Sequence, residues 1–488
     1  MKVAAGHLDI NTEKILRLIG EARAHGAEVL ILPEHAVSGL MVGNSARQES
    51  FRRECARCVE EILSAGEGLA VVLREENFSG VDVKFLTAPF SLSRRDDFAT
   101  VKRPLIQVGC VGVQNTCKTI YTFDGGSAVI NSRGEVVQRA EPFAECMNFV
   151  ELEAIDKMPA LAPVDEPEVA KIHRALKYGV KTFLEQIGLQ KVVIGVSGGI
   201  DSAVAAALYV DVLGAENVYL VNMPSVFNSA TTKSLSERLA KNLGCKYFVV
   251  PIQESVDWTV KQLEGVGVSV SNFVRENIQA RDRSSRILAA IAAAVGGGFT
   301  CNANKAESTV GYATLYGDEA GFMSALADLW KFQVYELANY FNDEIFRSEV
   351  IPQGIIDIVP SAELSTAQNV DEGKGDPLKY PYHDYLLRAF VEQDAMPEDV
   401  LYWYATGTLE AEIGCERGLV KKYFPTAQEF IADLERWWRQ FTGMGVAKRI
   451  QSPPILAVTD RPFGSFNESQ NGVYFTRGYL ELKARLLG

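Results

Sequence analysis

One short stretch limits what this chain can fold into more than any other: a strand, a glycine turn and a helix follow one another between residues 192 and 213. The apolar run from Val192 to Val196 is typical of a buried strand. Gly198 and Gly199 remove side chains where the backbone has to turn, and Ser202–Leu213 has the composition of a helix. The first N–H groups of a helix have no intrahelical partners, and the helix dipole is positive there. The stretch therefore predicts an anion site of the kind that holds phosphate groups.

The polar side chains of this turn add chemistry to the anion site. Ser197 and Ser202 supply hydroxyl groups, and Asp201 places a carboxylate where it could hold Mg²⁺ against bound phosphates. The Gly-Lys-Ser/Thr ending of a Walker loop is absent. A glycine-rich turn in any α/β protein is the alternative explanation, although it would not require the complete string Ser-Gly-Gly-Ile-Asp-Ser.

The patterns after the glycine turn alternate between strands and helices, which is typical of a parallel, doubly wound sheet. Ligands of such sheets bind beyond the C-terminal ends of the strands, where the glycine turn lies. The predicted elements are a strand over 191–196, a helix ending at 213, a strand over 218–222, a helix over 230–243 and a strand over 246–251.

Composition and charge limit the possible partners. The chain has 488 residues, enough for two or three domains, and its net charge of −13 argues against general binding of nucleic acid or anionic membranes. Its apolar runs are too short to span a bilayer, and its first residues lack the pattern of a signal peptide. The 8 cysteines suit free thiols in a reducing compartment, and the 5 histidines show no metal-ligand spacing. We therefore expect a cytoplasmic enzyme that binds neither nucleic acid nor membrane.

Ionisable residues recur in unusual surroundings further along the chain. Asn277 and Arg281 lie on one face of a helix that we expect to begin with the string Glu-Asn-Ile-Gln-Ala-Arg, although a surface ion pair would explain them equally well. Glu307 and Asp318 lie among small and aromatic residues, which is unlike a solvated loop. Lys331 is expected to open another helix, where a lysine opposes the helix dipole unless it meets an anion. These residues are therefore candidates for a binding site.

Together these strings resemble the NAD synthetase family in its longer, glutamine-dependent bacterial form. The glycine turn also resembles the pyrophosphate-binding loop of the ATP-pyrophosphatase superfamily, whose members adenylate a substrate. The resemblance covers roughly residues 166–488. It is carried by strings in the family's order: Ser-Gly-Gly-Ile-Asp-Ser, Met-Pro-Ser at 223–225, Glu-Asn-Ile-Gln-Ala-Arg, Asn-Lys-Ala-Glu with Gly-Tyr-Ala-Thr-Leu-Tyr-Gly-Asp, Leu-Trp-Lys-Phe-Gln-Val, Pro-Ser-Ala-Glu-Leu at 360–364, Asp-Glu-Gly-Lys-Gly-Asp-Pro at 371–377 and Lys-Arg-Ile-Gln-Ser-Pro-Pro at 448–454.

The resemblance implies a reaction in two steps: ATP adenylates the nicotinate carboxylate of deamido-NAD, and ammonia then displaces AMP to give NAD. Asp201, Lys331 and Asp318 are the catalytic residues that it implies, with Asp318 either accepting the ammonium proton or binding substrate. A homodimer or higher homo-oligomer is implied as well. The implied binding residues are Ser197, Gly198, Gly199, Asp201, Ser202, Lys331 and Ser361 for ATP, Asp201 and Glu307 for Mg²⁺, and Asn277, Arg281, Asp318 and Lys448 for deamido-NAD.

The N-terminal part resembles the nitrilase-type glutaminase domain of these synthetases, through the string at 26–39 and through Phe-Asp-Gly-Gly-Ser at 123–127. Such a site needs Glu, Lys and Cys together, because a thiolate attacks the amide while a carboxylate moves protons. The candidates are Glu34, Lys102 and either Cys110 or Cys117. Lys102 and Cys110 are close in sequence, whereas the resemblance implies a lysine and a cysteine on separate strands. We therefore expect a truncated nitrilase-like α/β domain with a degenerate glutaminase site.

The predicted organisation has three parts: the shortened nitrilase-like domain over 1–157, a proline-containing linker over 158–168, and over 169–488 an NAD synthetase domain built on a doubly wound parallel sheet of the ATP-pyrophosphatase (adenine nucleotide alpha hydrolase-like) type. Ammonia, either free or supplied by a separate protein, is the expected nitrogen donor, and glutamine with a working Glu-Lys-Cys site is the alternative. A GMP synthetase would lack the Gly-Tyr-Ala-Thr-Leu-Tyr-Gly-Asp string. A non-catalytic nucleotide-binding relic would not need both predicted metal ligands.

Overall fold

The computed structural model describes residues 1–74, 77–78, 80–95, 97–116, 118–465 and 472–488. The chain forms two compact units. The first comprises Met1–Phe183 with Ala457–Thr459, and the second comprises Leu184–Leu456 with Asp460–Gly488. The domain bounds expected from the sequence, with a linker over 158–168, remain a prediction.

The first unit contains helices and small sheets in which some strands run parallel and others antiparallel. β1 and β2 pair in parallel, and β6 and β7 form an antiparallel pair. A five-stranded sheet has the order β3-β4-β5-β8-β9, in which only β4 and β5 run parallel. The elements are α1 (Leu8–Ala24), β1 (Val29–Ile31), α2 (Glu49–Ala65), β2 (Ala70–Val72), β3 (Asn77–Phe78), β4 (Val81–Leu86), β5 (Leu105–Gly109), β6 (Val111–Thr116), β7 (Thr119–Asp124), β8 (Ala128–Ile130), β9 (Val136–Arg139) and α3 (Glu168–Ile187), which continues into the second unit.

The second unit is built around a four-stranded parallel sheet with the order β12-β11-β10-β13. Mostly helices follow this sheet to the end of the chain, and two π-helical segments, Asp282–Leu288 and Phe341–Ile345, extend α7 and α10. The elements are β10 (Val192–Gly195), α4 (Ile200–Leu213), β11 (Val218–Asn222), α5 (Ala230–Leu243), β12 (Lys246–Val249), α6 (Gln253–Gly265), α7 (Asn272–Arg281), α8 (Ala289–Val295), β13 (Gly298–Phe299), α9 (Lys305–Val310), α10 (Lys331–Tyr340), α11 (Gln353–Asp357), α12 (Tyr380–Glu392), α13 (Pro397–Thr406), α14 (Leu409–Ile413), α15 (Leu419–Tyr423), α16 (Ala427–Thr442), α17 (Met444–Gln451), β14 (Ile455–Leu456) and α18 (Arg477–Leu487).

The predicted α/β class with a parallel sheet is confirmed. β10 and β11 are apolar on both faces and almost fully buried, which is the pattern of strands covered by helices on both sides. α5 begins where Ser229 accepts a hydrogen bond from the Thr232 N–H, and it ends at Gly244 in the left-handed conformation. These start and stop signals explain why the sequence predicts α5 with the bounds that the structure has, and β11 also has its predicted bounds.

One expected helix start is wrong. The string Glu-Asn-Ile-Gln-Ala-Arg ends α7 instead of opening it, because α7 begins after Ser271, whose side chain accepts a hydrogen bond from the Val274 N–H. Asn277 and Arg281 therefore lie in the second half of α7, just before the π-helical segment.

Among the described residues, no helix is long and apolar enough to cross a membrane.

Candidate active site

The glycine turn after β10 is closed by its own side chains. The Ser202 Oγ accepts a hydrogen bond from the Ser197 backbone N–H at 3.3 Å and donates to the Gly199 carbonyl at 3.0 Å. The Gly199 N–H donates to the Ser197 Oγ at 3.2 Å. Gly199 is the N-cap residue of α4 and has no side chain that could cap the helix. An anion bound at the turn would therefore meet the first N–H groups of α4 at the positive end of its dipole.

Gly198 is required at this turn for two reasons. Its φ of +87° lies in the region that side chains disfavour. A Cβ atom there would also lie 2.4 Å from the carbonyl oxygen of Thr232, in the first turn of α5. The turn can therefore pack against α5 only without a side chain at this position.

Three charged side chains from three helices meet beside the turn. The Lys331 Nζ, at the first residue of α10, lies 2.5 Å from Oδ2 of Asp201 on α4 and 3.7 Å from Oε1 of Glu307 on α9. The same ammonium group lies 4.7 Å from the centre of the Tyr380 ring, whose hydroxyl donates to the Glu307 Oε1 at 3.1 Å. The lysine is only 2% exposed. A buried cation thus holds two carboxylates at the edge of the anion site.

Burial and the neighbouring charges shift the pKa values of Glu307 and Lys331. Burial, with the neighbouring Asp201 carboxylate, raises the pKa of Glu307 to about 8. Burial alone would lower the pKa of Lys331, but Asp201 and Glu307 outweigh it and the net shift is upward. Extra positive charge beside Asp201 and Glu307 would therefore favour the ionised form of Glu307.

Asn304 joins two members of the cluster. As the N-cap of α9 it accepts a hydrogen bond from the Glu307 N–H at 3.1 Å, and the Glu307 side chain accepts from the Asn304 N–H at 3.3 Å, which is a capping box. The Asn304 Nδ2 also donates to Oδ1 of Asp201 at 3.0 Å. One amide side chain therefore fixes the start of α9 and the orientation of Asp201.

A second group of charges includes Asp318, which lines the same cavity. Asp318 accepts a hydrogen bond from the Thr314 N–H at 2.7 Å, and burial raises its pKa although Lys448 and Arg283 oppose the rise. Arg283, in the π-helical segment, donates to the carbonyl oxygen of Met223 at 3.0 Å and to Oδ1 of Asn228 at 3.1 Å. Burial lowers the pKa of Arg283 to about 10, which leaves it charged at neutral pH.

Asp376 organises the segment that carries Ser361. Its Oδ1 accepts hydrogen bonds from the Ala362 N–H and the Tyr312 hydroxyl, both at 3.0 Å. The Ser361 hydroxyl donates to the Gln368 carbonyl at 2.6 Å. Burial raises the pKa of Asp376. Ser361 therefore lies in a segment whose backbone is held by a buried carboxylate.

One cavity of the second unit collects most of the predicted synthetase residues. Its lining includes Ser197, Gly198, Gly199, Asp201, Ser202, Glu307, Asp318, Lys331 and Ser361. Asn277, Arg281 and Lys448 lie outside its lining. The amide of Asn277 donates to the Phe273 carbonyl, Arg281 donates to the Leu315 carbonyl, and the Lys448 ammonium donates to the Gly311 carbonyl at 2.7 Å.

Several residues at this site were not predicted from the sequence. Asn304 could have been found, because Asn followed three residues later by Glu is the pattern of a capping box. Asp376 lies inside a string that the resemblance already includes. Arg283 and Tyr380 carry no local signal, since only long-range packing brings Arg283 to the cavity and Tyr380 to Glu307.

The residues present suit Mg²⁺ shared with a bound phosphate. Among the described residues, no cluster of three or more His, Cys, Asp or Glu side chains is placed to hold a metal ion alone. Mg²⁺ commonly takes one or two carboxylates together with substrate phosphates and water. Asp201 and Glu307 supply such a pair next to the anion site.

The candidate glutaminase residues of the first unit lie in different surroundings. Cys110 directly follows β5 and is 3% exposed, and burial raises the pKa of its thiol to about 11. Lys102 is exposed and precedes β5, so the strand, at about 3.3 Å per residue, separates it from Cys110. Glu34 follows β1, and its carboxylate lies 3.8 Å from the His35 Nε2. Cys117 lies outside the described residues.

Comparisons with known proteins agree with this arrangement. The family model described as NAD synthase matches residues 172–411. A protein of Xylella fastidiosa named glutamine-dependent NAD(+) synthetase is 35% identical over 489 aligned positions, which cover 82% of this chain and 89% of that protein. A protein of the same name from Synechocystis is 34% identical over 369 residues, which cover 74% of this chain and 59% of that protein. The chain also spans 54% of the Thermotoga maritima relative and 61% of the Rhodobacter capsulatus relative.

Two solved structures share the fold over almost the whole chain. A glutamine-dependent NAD(+) synthetase from Cytophaga hutchinsonii has a TM-score of 0.74 at 14% identity and covers 99% of this chain and 98% of its own. The Acinetobacter baumannii enzyme, solved in complex with ADP, has a TM-score of 0.67 at 22% identity and covers 94% of this chain and 95% of its own. These likenesses confirm the predicted α/β fold over both units. The chain belongs to the NAD synthetase family.

Proposed function

We propose that this protein catalyses the ATP-dependent amidation of deamido-NAD to NAD, with release of AMP and pyrophosphate. One observation carries the proposal: the glycine turn and the cluster of Asp201, Glu307 and Lys331 line a single cavity. An anion site beside a buried lysine and paired carboxylates suits a triphosphate. The family membership supports the choice of deamido-NAD as the second substrate.

The proposed chemistry makes a poor electrophile reactive. A nicotinate carboxylate oxygen attacks the α-phosphorus of ATP, and the bond to pyrophosphate breaks. Ammonia then attacks the acyl carbon of the mixed anhydride, loses a proton, and AMP leaves with the original carboxylate oxygen. Negative charge grows on phosphate oxygens in the first step, so preorganised donors at those oxygens contribute most to the rate.

The residues of the cavity have distinct proposed roles. The turn over 197–199, with Ser202, holds the leaving pyrophosphate, and Lys331 stabilises charge on the phosphate oxygens. Ser361 is a further phosphate contact. Asp201 and Glu307 would hold Mg²⁺, which when bound supplies charge neutralisation at the phosphates.

Deamido-NAD is proposed to bind on the Asp318 side of the cavity. Lys448 interacts electrostatically with Asp318, and Arg281 lies next to the segment over 314–318 through its bond to the Leu315 carbonyl. Asn277 shares a helix with Arg281. Asp318 either accepts the ammonium proton or binds the substrate; D318N separates these roles, because loss of a proton acceptor lowers kcat and loss of a binding group raises KM for deamido-NAD.

The direct assay supplies purified protein with ATP, Mg²⁺, deamido-NAD and ammonium, and measures NAD, AMP and pyrophosphate. Equal amounts of the three products support the proposal, and D201A is expected to abolish their formation. ATP binding without any product would instead favour a nucleotide-binding relic.

We further propose that free ammonia is the nitrogen donor, although the relatives are named glutamine-dependent. The support comes from Cys110 and Lys102. A thiol with its pKa raised to about 11 is almost wholly protonated at neutral pH, and only the thiolate is a strong nucleophile. β5 also separates Lys102 from Cys110.

The donor assay compares ammonium with glutamine at matched nitrogen concentration. NAD formation with ammonium alone is the expected result, and C110A is expected to leave the ammonium rate unchanged. Glutamine use that C110A abolishes would show a working glutaminase and overturn the proposal. Light scattering tests the homodimer or higher oligomer that we infer from the family resemblance.

A further inference from the structure

The N-cap side chain of the helix that carries Lys331 accepts no hydrogen bond from the helix, although Gln333 Oε1 accepts one from the Trp330 N–H at 3.0 Å. α10 begins at Lys331, and its N-cap residue is Trp330, whose side chain has no acceptor for the first N–H groups. The Trp330 indole instead donates to Oε1 of Glu392 at 2.8 Å. The first N–H groups of α10 therefore need an acceptor from elsewhere, because a buried donor without a partner is costly.

That acceptor comes from α12. Oδ2 of Asp384 accepts a hydrogen bond from the Phe332 N–H at 2.9 Å, and Asp384 is 1% exposed. Burial raises the pKa of Asp384 to about 7, while the N–H groups of Phe332 and Lys331 oppose the rise. Both N–H groups thus act on one carboxylate, which caps α10 from a separate helix.

Keeping the Asp384 carboxylate buried in this position costs free energy. The second oxygen of Asp384, Oδ1, is buried and has no hydrogen-bond partner among the described residues. Buried polar atoms without partners are rare in native proteins. A carboxylate kept here despite that cost is best explained by what its other oxygen holds.

The position of the first residue of α10 determines where the Lys331 ammonium group lies. Lys331 reaches the Asp201 Oδ2 from the first position of α10, so a change in the helix start moves its ammonium group. The other side of the cluster is also tied to α12, because the Tyr380 hydroxyl donates to Glu307. One helix therefore contacts both elements that carry Lys331 and Glu307.

We propose that Asp384 is a positioning residue for Lys331: it caps α10 from α12 and so places the Lys331 ammonium for contact with ATP phosphates. The proposal rests on the proposed binding of ATP in this cavity and adds a residue that the family resemblance does not supply. Asp384 contacts no reacting atom. Its effect passes through Lys331.

The test measures the dissociation constant of Mg-ATP by calorimetry, without deamido-NAD. D384A and D384L, which lack the acceptor, are expected to bind Mg-ATP about tenfold more weakly, or about 1.4 kcal/mol. D384N keeps a carbonyl oxygen and is expected to stay within about threefold of the wild type, because Oδ1 has no partner to lose. D384L keeps the branched shape at Cγ and fills the site if the alanine variant does not fold.

A double-mutant cycle separates positioning from a general loss of stability. In a K331M background, D384A is expected to cause no further loss of Mg-ATP affinity, since coupled residues are not additive. The matched control is D433N, which weakens another partly buried contact of α12, the bond between Asp433 Oδ2 and His383 Nε2, without touching α10. It is expected to lower Tm and to leave Mg-ATP affinity unchanged.

Three outcomes would overturn the proposal: unchanged affinity in folded D384A or D384L, an equal loss in D384N, or a full additional loss in the K331M background. These outcomes are distinct from failure of the proposed function. Wild-type protein that binds Mg-ATP but makes no NAD would contradict that function and leave this test intact.

Discussion

The buried lysine at the start of α10 is the residue on which the site depends most. The charge of Asp201 disfavours ionisation of Glu307, and the Lys331 ammonium group opposes that effect in the free protein. Opposite charges interact strongly where water is excluded, and an unpaired buried charge costs several kcal/mol. The same ammonium group can contact the oxygens of bound phosphates without a large rearrangement. The cluster is therefore preorganised for a polyanion and a divalent cation.

Cys110 provides a prediction at the residue scale. With a pKa of about 11, its thiol should be alkylated by iodoacetamide far more slowly at pH 8 than the exposed Cys146, and its rate should rise about tenfold per pH unit up to about pH 11. The sign follows from the raised pKa, since the reactive thiolate appears only as the pH approaches that value. Peptide mass spectrometry measures both sites in one sample. Equal labelling of Cys110 and Cys146 at pH 8 would contradict the buried, protonated thiol.

At the scale of elements, local signals account for what the sequence predicts well. β10, α4, β11 and α5 are predicted because apolar runs, glycines and a serine cap mark their ends. The start of α7 is not predicted because its N-cap residue, Ser271, precedes the string Glu-Asn-Ile-Gln-Ala-Arg on which the prediction is based. The π-helical segment over 282–288 has no distinct pattern, since its residues would suit an α-helix equally well. Arg283 is therefore not predicted as part of the cavity wall.

Gly198 gives a prediction for the turn as an element. G198A adds a Cβ atom 2.4 Å from the Thr232 carbonyl and also forces alanine to a φ of +87°. Displacement of the turn is expected to weaken Mg-ATP binding by at least about tenfold and to cost about 2 kcal/mol or more of stability. Urea denaturation and calorimetry measure the two effects.

The matched control is G296A, at the C-terminal end of α8. Gly296 also has a positive φ, +66°, but no heavy atom lies within 4 Å of a Cβ atom built there. It is expected to lose about 1 kcal/mol of stability from the backbone alone and to keep ATP affinity. Equal stability and equal ATP affinity of the two variants would show that the contact with Thr232 is unimportant.

At the scale of the whole molecule, the sequence identifies the strings that form the site, but it does not predict as well how these strings pack together. The family strings carry Asp201, Glu307 and Lys331, and their order along a doubly wound sheet places them near one edge. The contributions of α12 are not predicted, because Tyr380, Asp384 and Glu392 lie far along the chain from Asp201 and match no motif. Contacts between distant segments are decided by packing, which leaves no periodic signal in sequence. The relation of Lys102 to Cys110 is likewise visible only in the fold, in which β5 lies between them.

The central claim is that this cavity activates the nicotinate carboxylate by adenylation. The most direct measurement uses deamido-NAD labelled with ¹⁸O in that carboxylate, together with ATP, Mg²⁺ and ammonium, and follows the label by mass spectrometry. Transfer of one ¹⁸O atom to the phosphate of AMP, with none in pyrophosphate, is the predicted result. NAD formed alongside unlabelled AMP would contradict the account.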